Sequence, residues 1–252
     1  MLTGHESGHL QESLEHFRKV RKEFDDRAVG EPGKTPIHPQ YVTQCISDLA
    51  AEDTVFLCDV GTPTTWSARY LRMNGKRRLI GSFNHGTMAN AMPQAIGVQA
   101  ADRNRQVVTP SGDGGLSMLM GDMLTLRQLE FNIKIVVFNN GALGFVEQEM
   151  KAAGIETYGT AFRSQNFADI ANAAGIRGWR VDTPERVKPA LNEAFALRGP
   201  ALIDVAVARQ ELSLPPTISI AQAAGFNLYM MKAMIHGDGN EVLDMAKTNL
   251  WR

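Results

Sequence analysis

The stretch Ser111-Gly-Asp-Gly-Gly115 and the turn Asn139-Asn-Gly-Ala-Leu-Gly-Phe145 decide the fold, because each follows an apolar, β-branched run. The pattern predicts a strand end, a glycine turn, a helix, a second strand and a second turn. Adjacent parallel strands deliver their carboxyl ends to one edge of a sheet, so we expect Asp113 and Asn140 to face one small volume. Carboxylate and amide oxygens, together with phosphate oxygens, are ligands that Mg²⁺ prefers.

The glycines of the first turn indicate that an anion binds next to the metal. Gly112, Gly114 and Gly115 leave backbone N–H groups open to an anion, and a helix N-terminus follows them. The pattern therefore predicts a site for Mg²⁺ and a diphosphate, with two glycine turns of an ordinary Rossmann-like sheet as the alternative. Dinucleotide and mononucleotide motifs are disfavoured, because no G-x-G-x-x-G opens a helix and no G-x-x-x-x-G-K-[ST] occurs.

Composition narrows the class of protein. The chain has 252 residues, 44% apolar and 21% charged, which is ordinary for a globular protein. Its formal net charge of −1 argues against nucleic acid as a partner. The two cysteines, Cys45 and Cys58, have no metal-binding spacing and favour a reducing compartment. With no apolar run long enough for a bilayer and no signal-peptide pattern at the start, we expect a cytoplasmic protein.

Strand-like and helix-like segments alternate along the chain, which predicts an α/β fold with a parallel sheet covered by helices on both faces. Strands are expected at residues 54–58, directly after 76–78, and at 106–109, 133–138, 177–181 and 201–207. Helices are expected at residues 11–27, 39–51, 166–174 and 184–197. We divide the chain into a lead-in helix and linker at 1–36, a compact domain at 37–212 and a helical tail at 213–252.

The tail is rich in flexible apolar side chains. It follows a break at Leu214-Pro-Pro216 and contains Met230, Met231, Met234, Met245, Phe226, Tyr229, Leu250 and Trp251. Such a surface can bind lipid or a partner. The alternative, which the balanced charges of the tail favour, is that it folds back on the domain or on a neighbouring subunit.

Two other segments carry weaker signals. The turn Asp59-Val-Gly-Thr-Pro-Thr64 follows a strand, so it is either a second anion-binding turn or a plain helix cap made by its threonines. The basic run at 76–78 is typical of a solvated face.

The spacing of the two turns resembles a known family signature. Gly112-Asp-Gly114, followed after 24 residues by Asn139-Asn140, is similar to the GDG…NN motif of thiamine diphosphate enzymes. The chain as a whole resembles the C-terminal part of pyruvate oxidases, and in particular of the bacterial quinone-dependent pyruvate dehydrogenases. The stretches that carry this resemblance are Ile37-His-Pro-Gln-Tyr41, Cys58-Asp-Val-Gly-Thr-Pro63, Gly75-Lys-Arg-Arg78, Gly81-Ser-Phe-Asn-His-Gly86, Met88-Ala-Asn-Ala-Met-Pro-Gln94, Val136-Val-Phe-Asn-Asn140, Leu143-Gly-Phe-Val146 and Ala246-Lys-Thr-Asn249.

The resemblance implies a multidomain enzyme. Members bind the pyrimidine of thiamine diphosphate in an N-terminal domain, FAD in a middle domain and the diphosphate in a C-terminal domain. They convert pyruvate to acetate and CO₂ and pass electrons through FAD to ubiquinone. The implied assembly is a homo-oligomer, a dimer or tetramer, peripheral on the inner face of the cell membrane. Residues 1–36 would be the end of the FAD domain.

The resemblance also implies roles for individual residues. Asp113 and Asn140 would bind Mg²⁺ through side chains and Ala142 through its carbonyl. Met88 would wedge between the cofactor rings, while Phe145 and Glu149 would line the substrate pocket as catalytic candidates. The remaining cofactor contacts would be Gly86, Thr87, Gly114, Gly115, Leu143, Gly144 and Val146. Each of three residues also has an alternative, purely structural role: Met88 as a core methionine, Glu149 as a solvated carboxylate and His85 as a structural loop residue.

The family activates the cofactor with a glutamate of the pyrimidine-binding domain, for which this chain has no counterpart. We therefore expect the chain alone to bind diphosphate weakly and to be inactive. Two further hypotheses stay open: an acetolactate-synthase-like carboligase, and a non-enzymatic cofactor-binding module that pairs with another chain.

Overall fold

The computed structural model describes residues 8–163, 165–213 and 217–250, which form one parallel sheet with helices around it. The strands are β1 (Val55–Leu57), β2 (Arg78–Ile80), β3 (Val107–Gly112), β4 (Ile133–Asn139), β5 (Arg177–Val181) and β6 (Ala201–Ala206). The helices are α1 (Gly8–Arg27), α2 (Pro39–Leu49), α3 (Thr62–Tyr70), α4 (Ala91–Ala101), α5 (Asp113–Leu119), α6 (Met123–Leu129), α7 (Gly144–Ala152), α8 (Phe167–Ala173), α9 (Pro184–Ala196), α10 (Ile220–His236) and α11 (Gly239–Leu250).

The strand order is β2-β1-β3-β4-β6-β5, and every pair is parallel. The predicted α/β class is thereby confirmed. β3 and β4 are neighbours, with Gly112 opposite Phe138 in the register. The turns after these two strands consequently leave the sheet side by side at its carboxyl edge.

The core forms two layers because successive strand residues point to opposite faces of the sheet. On β4, Val136 and Phe138 pack into the layer under α2, α3 and α9, whereas Ile135 and Val137 pack into the layer under α4, α6 and α8. A strand buried on both faces has a continuous apolar sequence, which is why β4 is predictable from the sequence. The one charged residue in this strand, Lys134, donates from Nζ to the carbonyls of Leu197 and Gly199 at 2.7 and 2.8 Å.

The lead-in helix α1 lies mostly outside the core. Its predicted apolar positions Leu14 and Phe17 are exposed, and only its last turns pack on the domain. There Phe24 stacks on Tyr70 with ring centroids 5.4 Å apart, and Arg21 donates to the carbonyl of Arg69.

The tail consists of two helices rather than short pieces. Ser219 and Gln222 form a reciprocal capping box that starts α10. Gly225 of α10 lies against the carbonyl of Ala152 in α7, so closely that a Cβ at this position would overlap the carbonyl oxygen. The predicted break at Leu214-Pro-Pro216, the residue Trp251 and residues 1–7 lie outside the described residues. Lipid binding by the tail stays a prediction; none of the described helices combines the length and the apolar character required to cross a bilayer.

Candidate functional site

Asp113 joins the ends of the two central strands. It is the first residue of α5, directly after β3, and its side chain is buried. Oδ1 accepts a hydrogen bond from the N–H of Gly114 at 2.8 Å, and Oδ2 accepts one from the N–H of Gly141 at 2.7 Å. Since Gly141 follows Asn140, this second bond brings the turn after β4 onto the carboxylate. The convergence that the sequence predicted is therefore present.

Burial dominates the electrostatics of Asp113. It raises the pKa of the carboxyl to about 6, although the N–H groups of Gly114, Gly141 and Ala142 oppose the shift. A poorly solvated carboxylate at the edge of the sheet is stabilised by a divalent cation, which replaces the lost hydration.

The turn after β4 is shaped around the Asn140 side chain. Its Oδ1 accepts a hydrogen bond from the N–H of Ala142 at 3.2 Å, and the carbonyl of Ala142 accepts one from Gly144 at 2.9 Å. Gly141 has φ of 69°, in the left-handed region that favours glycine. A Cβ on Gly144 would lie 2.6 Å from Nδ2 of Asn140, so only glycine leaves room for the amide.

A returning segment at residues 160–162 supports this turn from behind. Thr160 accepts at its carbonyl from the N–H of Leu143 at 2.9 Å, and Phe162 donates from its N–H to the carbonyl of Gly141 at 2.8 Å. Ala142 and Ala161 form an antiparallel bridge between the two segments. The turn is therefore held by backbone hydrogen bonds at both of its ends.

The glycines of the first turn are needed for close packing. A Cβ on Gly114 would lie 2.8 Å from the side chain of Leu143, and one on Gly115 would lie 2.6 Å from Oδ2 of Asp59. Both distances are shorter than real Cβ contacts, so a larger residue would force the side chains of Leu143 and Asp59 to shift. The GDGG sequence thus lets three turns meet at one place.

These turns enclose a cleft at the carboxyl edge of the sheet. Most of the predicted site residues line it: Met88, Asp113, Gly114, Gly115, Asn140, Ala142, Leu143, Gly144, Phe145 and Val146. Sequence reasoning did not place Phe138 in the site, and it named the turn at 59–64, which contains Pro63, as a second anion-binding candidate or a plain helix cap. That turn lines the cleft too, through Val60, Gly61 and Thr62.

The threonines of that turn do not cap the helix. α3 begins at Thr62 after Gly61, which has φ of 130° and makes no side-chain cap. Thr64 instead donates from its hydroxyl to the carbonyl of Asp59 at 2.9 Å. The plain-cap interpretation of the threonines is wrong, because a glycine occupies the cap position and both threonines lie inside the helix.

Three predicted site residues are not among those that line the cleft. Gly86 and Thr87 lie exposed in the loop before α4, where Asn90 holds the chain by donating to the carbonyl of Thr87 at 2.7 Å. Glu149, the third of them, is an exposed residue of α7. His85, which was expected to be a structural loop residue, is exposed in the same loop as Gly86. Their roles stay predictions that depend on a partner surface approaching these residues.

Asp59 is a buried carboxylate that sequence reasoning passed over. Its Oδ1 accepts from the N–H of Ala91 at 3.0 Å, which ties the end of β1 to the start of α4. Burial raises its pKa to about 6, with the N–H of Ala91, the hydroxyl of Ser111 and the N–H of Asn90 opposing the shift. The only sequence signal was its place at a strand end, two residues before a glycine.

A second buried carboxylate, Glu147, was also missed. It lies in the first turn of α7 and accepts hydrogen bonds from Thr160 and Arg209. Its position three residues after Gly144 gave no sign of burial.

The donor set fits a magnesium ion and a diphosphate. Asn140 Oδ1 and the Ala142 carbonyl each accept one hydrogen bond and keep a second lone pair, and the Asp113 oxygens do likewise. Oxygen donors with room for further phosphate oxygens and water suit Mg²⁺. Among the described residues there is no cluster of three or more His, Cys, Asp or Glu side chains, so a transition-metal site of that kind is not found there.

Comparison with known proteins gives the same assignment. Residues 59–205 match the family model described as thiamine pyrophosphate enzyme, C-terminal TPP binding domain. The chain is 35% identical over 214 residues to the putative thiamine pyrophosphate-containing protein YdaP of Bacillus subtilis, covering 85% of this chain and 37% of that protein.

Two other relatives are named acetolactate synthase large subunit. The protein from Porphyra purpurea is 35% identical over 197 residues, which cover 76% of this chain and 33% of the relative. The protein from Lactococcus lactis is 31% identical over 252 residues, which cover 92% of this chain and 42% of the relative. The chain therefore spans well under half the length of these proteins.

Proposed function

The chain belongs to the family of C-terminal thiamine pyrophosphate-binding domains of thiamine pyrophosphate enzymes, and on that premise we propose that its cleft holds the diphosphate of thiamine diphosphate through Mg²⁺. The observation that carries the proposal is the bond from the N–H of Gly141 to Asp113 at 2.7 Å, which joins the two strand ends. It places the carboxylate next to the turn of Asn140, as a shared cation requires.

Each turn has its own task in this proposal. The side chains of Asp113 and Asn140 and the carbonyl of Ala142 hold the cation. The N–H group of Gly115, at the start of α5, faces the diphosphate, whereas the N–H group of Gly114 holds the Asp113 carboxylate in place. Met88, which also lines the cleft, would support the cofactor rings.

When bound, thiamine diphosphate supplies an electron sink that stabilises the carbanion left after a 2-oxo acid loses CO₂. The protein residues orient that group and exclude water. Phe145 and Val146 line the cleft and are partly exposed, so they offer an apolar wall to a small acyl group.

We propose that the complete protein is a carboligase of the acetolactate synthase type, acting on pyruvate. The named relatives in Porphyra and Lactococcus support this reading over the pyruvate oxidase reading that the sequence resemblance suggested. Pyruvate oxidation, with FAD and ubiquinone as electron acceptors, is the second candidate. The tail, with Ala246-Lys-Thr-Asn249, and the region of Phe145 favour it.

The product distinguishes the two candidates. The complete protein, supplied with thiamine diphosphate, Mg²⁺, FAD and pyruvate, is expected to form acetolactate without an added electron acceptor. Acetate formed in step with reduction of a soluble quinone, with no acetolactate, would contradict the carboligase proposal. If neither acetolactate nor acetate is formed, the proposal of catalysis is contradicted, and a cofactor-binding module is the function that is left.

Binding is tested separately on the chain itself. Calorimetric titration with thiamine diphosphate is expected to give heat with MgCl₂ present and none with EDTA. Binding that is equally strong with EDTA would contradict the role of Asp113 and Asn140.

A further inference from the structure

Glu147 is a carboxylate in the least solvated part of α7. Its side chain is 2% exposed, and its backbone N–H donates to the carbonyl of Leu143 at 3.0 Å. An ionised group in such a place needs partners, since burial without them is expensive. Those partners come from two segments, the returning segment at residue 160 and the chain after β6 at residue 209.

The first partner connects Glu147 to the metal-binding turn. Thr160 donates from its hydroxyl to Oε1 of Glu147 at 2.9 Å. The carbonyl of the same Thr160 accepts from the N–H of Leu143 at 2.9 Å. One residue therefore ties the carboxylate of α7 to the backbone directly after Ala142.

The second partner balances the charge. Arg209 bonds Oε1 of Glu147 through its guanidinium, and Nε lies 3.5 Å from Oε2. Lys151, one turn further along α7, has Nζ 3.9 Å from Glu147 and 2.7 Å from Glu241 of α11. Two acids and two bases thus alternate between α7, the end of the sheet and the tail helices, with Glu147 and Lys151 buried and Arg209 and Glu241 partly exposed to solvent.

We propose that Glu147 and Thr160 form a positioning pair for the magnesium site. The pair touches neither metal nor cofactor, because neither residue lines the cleft. It fixes the returning segment against α7, and that segment holds the backbone of residues 141–143 that presents Asn140 and the Ala142 carbonyl. This inference rests on the proposed function, and it adds the group that sets the geometry of the cation's second turn.

The pair makes a selective prediction. The turn after β4 supplies two of the three proposed metal ligands, whereas the backbone N–H group of Gly115, proposed for the diphosphate, belongs to the turn after β3. Disturbing Thr160 should therefore weaken Mg²⁺ more than it weakens the diphosphate. Mutation of residues that orient metal ligands without contacting the metal typically weakens metal affinity by about 10- to 100-fold.

The test compares Thr160→Val with Thr160→Ser in the full chain. Valine keeps the shape and removes the hydroxyl, whereas serine keeps the hydroxyl. Titration of MgCl₂ at saturating thiamine diphosphate is expected to show about tenfold weaker Mg²⁺ binding for Thr160→Val and wild-type binding for Thr160→Ser. Titration of thiamine diphosphate at saturating Mg²⁺ is expected to change by less than about threefold in both.

A second pair of variants tests the negative charge of Glu147 against the loss of a negative charge at an exposed position. Glu147→Gln is expected to weaken Mg²⁺ about tenfold, and the exposed control Glu52→Gln is expected to match wild type. Equal Mg²⁺ affinity of Thr160→Val and Thr160→Ser, or equal weakening in both titrations, would overturn the inference. A wild-type chain that binds no Mg²⁺ with thiamine diphosphate would overturn the proposed function and this inference with it.

Discussion

The carboxylate of Asp113 does two jobs at once, since it accepts backbone hydrogen bonds from both turns and keeps its remaining lone pairs for the cleft. Asp113→Ala removes both. We expect Mg²⁺-dependent binding of thiamine diphosphate to weaken by at least about a hundredfold, because a metal ligand matters more than the groups behind it. Calorimetry of the variant beside wild type measures this.

The matched control is Lys76→Ala. Lys76 is exposed just before β2 and pairs with Glu52 at 2.8 Å on the surface, so its loss should leave binding unchanged. Equal weakening in the two variants would mean that the binding site lies elsewhere.

Asp59 makes stability depend on pH. Its pKa rises from 3.8 to about 6 on folding because the side chain is buried. The folded state then holds the proton more tightly than the unfolded state, so the contribution to stability is full below about pH 4 and is lost as pH rises to about 6. A pKa difference of about two between the folded and unfolded states corresponds to about 3 kcal/mol.

Asp59→Asn removes this dependence, because an amide does not titrate. We expect the free energy of unfolding of the variant to fall less than that of wild type between about pH 4 and pH 6, by about 3 kcal/mol. Asp113, whose pKa is raised in the same way, contributes equally to the pH dependence of both proteins and does not affect the difference between them. Urea unfolding at several pH values measures the difference, and parallel curves for the two proteins would refute it.

The residues differ in how far the sequence could predict them. Asp113 and Asn140 were predictable because glycines and strand-like runs flank them at a fixed spacing. Asp59 and Glu147 were not, since a carboxylate in a loop or on a helix is usually solvated, and only the packing of α4 and of Arg209 buries them. Burial of a charge is a property of the assembled fold, and no local pattern encodes it.

At the scale of elements, α10 depends on one glycine for its place on α7. Gly225→Ala puts a methyl group where the carbonyl oxygen of Ala152 lies, so the helix has to move outward. Alanine favours an isolated helix by about 1 kcal/mol, and loss of packing outweighs this gain. We expect amides of α10 to exchange with solvent at least about tenfold faster, as measured by hydrogen exchange.

Gly239→Ala serves as the control because a Cβ there meets nothing within 4 Å. It lies at the start of α11 and should leave the exchange of α10 unchanged. Slower exchange in Gly225→Ala than in wild type would show that α10 does not pack as described.

The elements were predicted better than their contacts. Mainly apolar runs, each with one charged residue, marked β4 and β6, and Pro184 marked the start of α9, because each signal is local. The amphipathic pattern of α1 misled in one respect, since Leu14 and Phe17 remain exposed. A helical stripe shows that a face can be buried, and the partner that buries it lies elsewhere in the sequence or in another chain.

At the scale of the whole molecule, the proposed ligands in the cleft serve only one end of thiamine diphosphate. The proposed ligands are all assigned to the metal and the diphosphate. Among the described residues, the cleft lining includes one carboxylate, Asp113, which would be bound to the metal. A general base for activation has no place there. Such a base typically contributes about 10²- to 10⁴-fold to a rate.

We therefore expect this chain, supplied with thiamine diphosphate, Mg²⁺, FAD and pyruvate, to release CO₂ at least about a hundredfold more slowly than the complete protein. Its relatives extend well beyond the matched region, since the chain covers 33% to 42% of their length. Release of ¹⁴CO₂ from labelled pyruvate measures decarboxylation whichever product follows, so the result does not depend on the choice between acetolactate and acetate. Comparable rates for chain and complete protein would mean that a residue of this chain activates the cofactor. Glu149 would then be the first candidate to replace by glutamine. It is an exposed carboxylate on α7, close in sequence to the turn after β4.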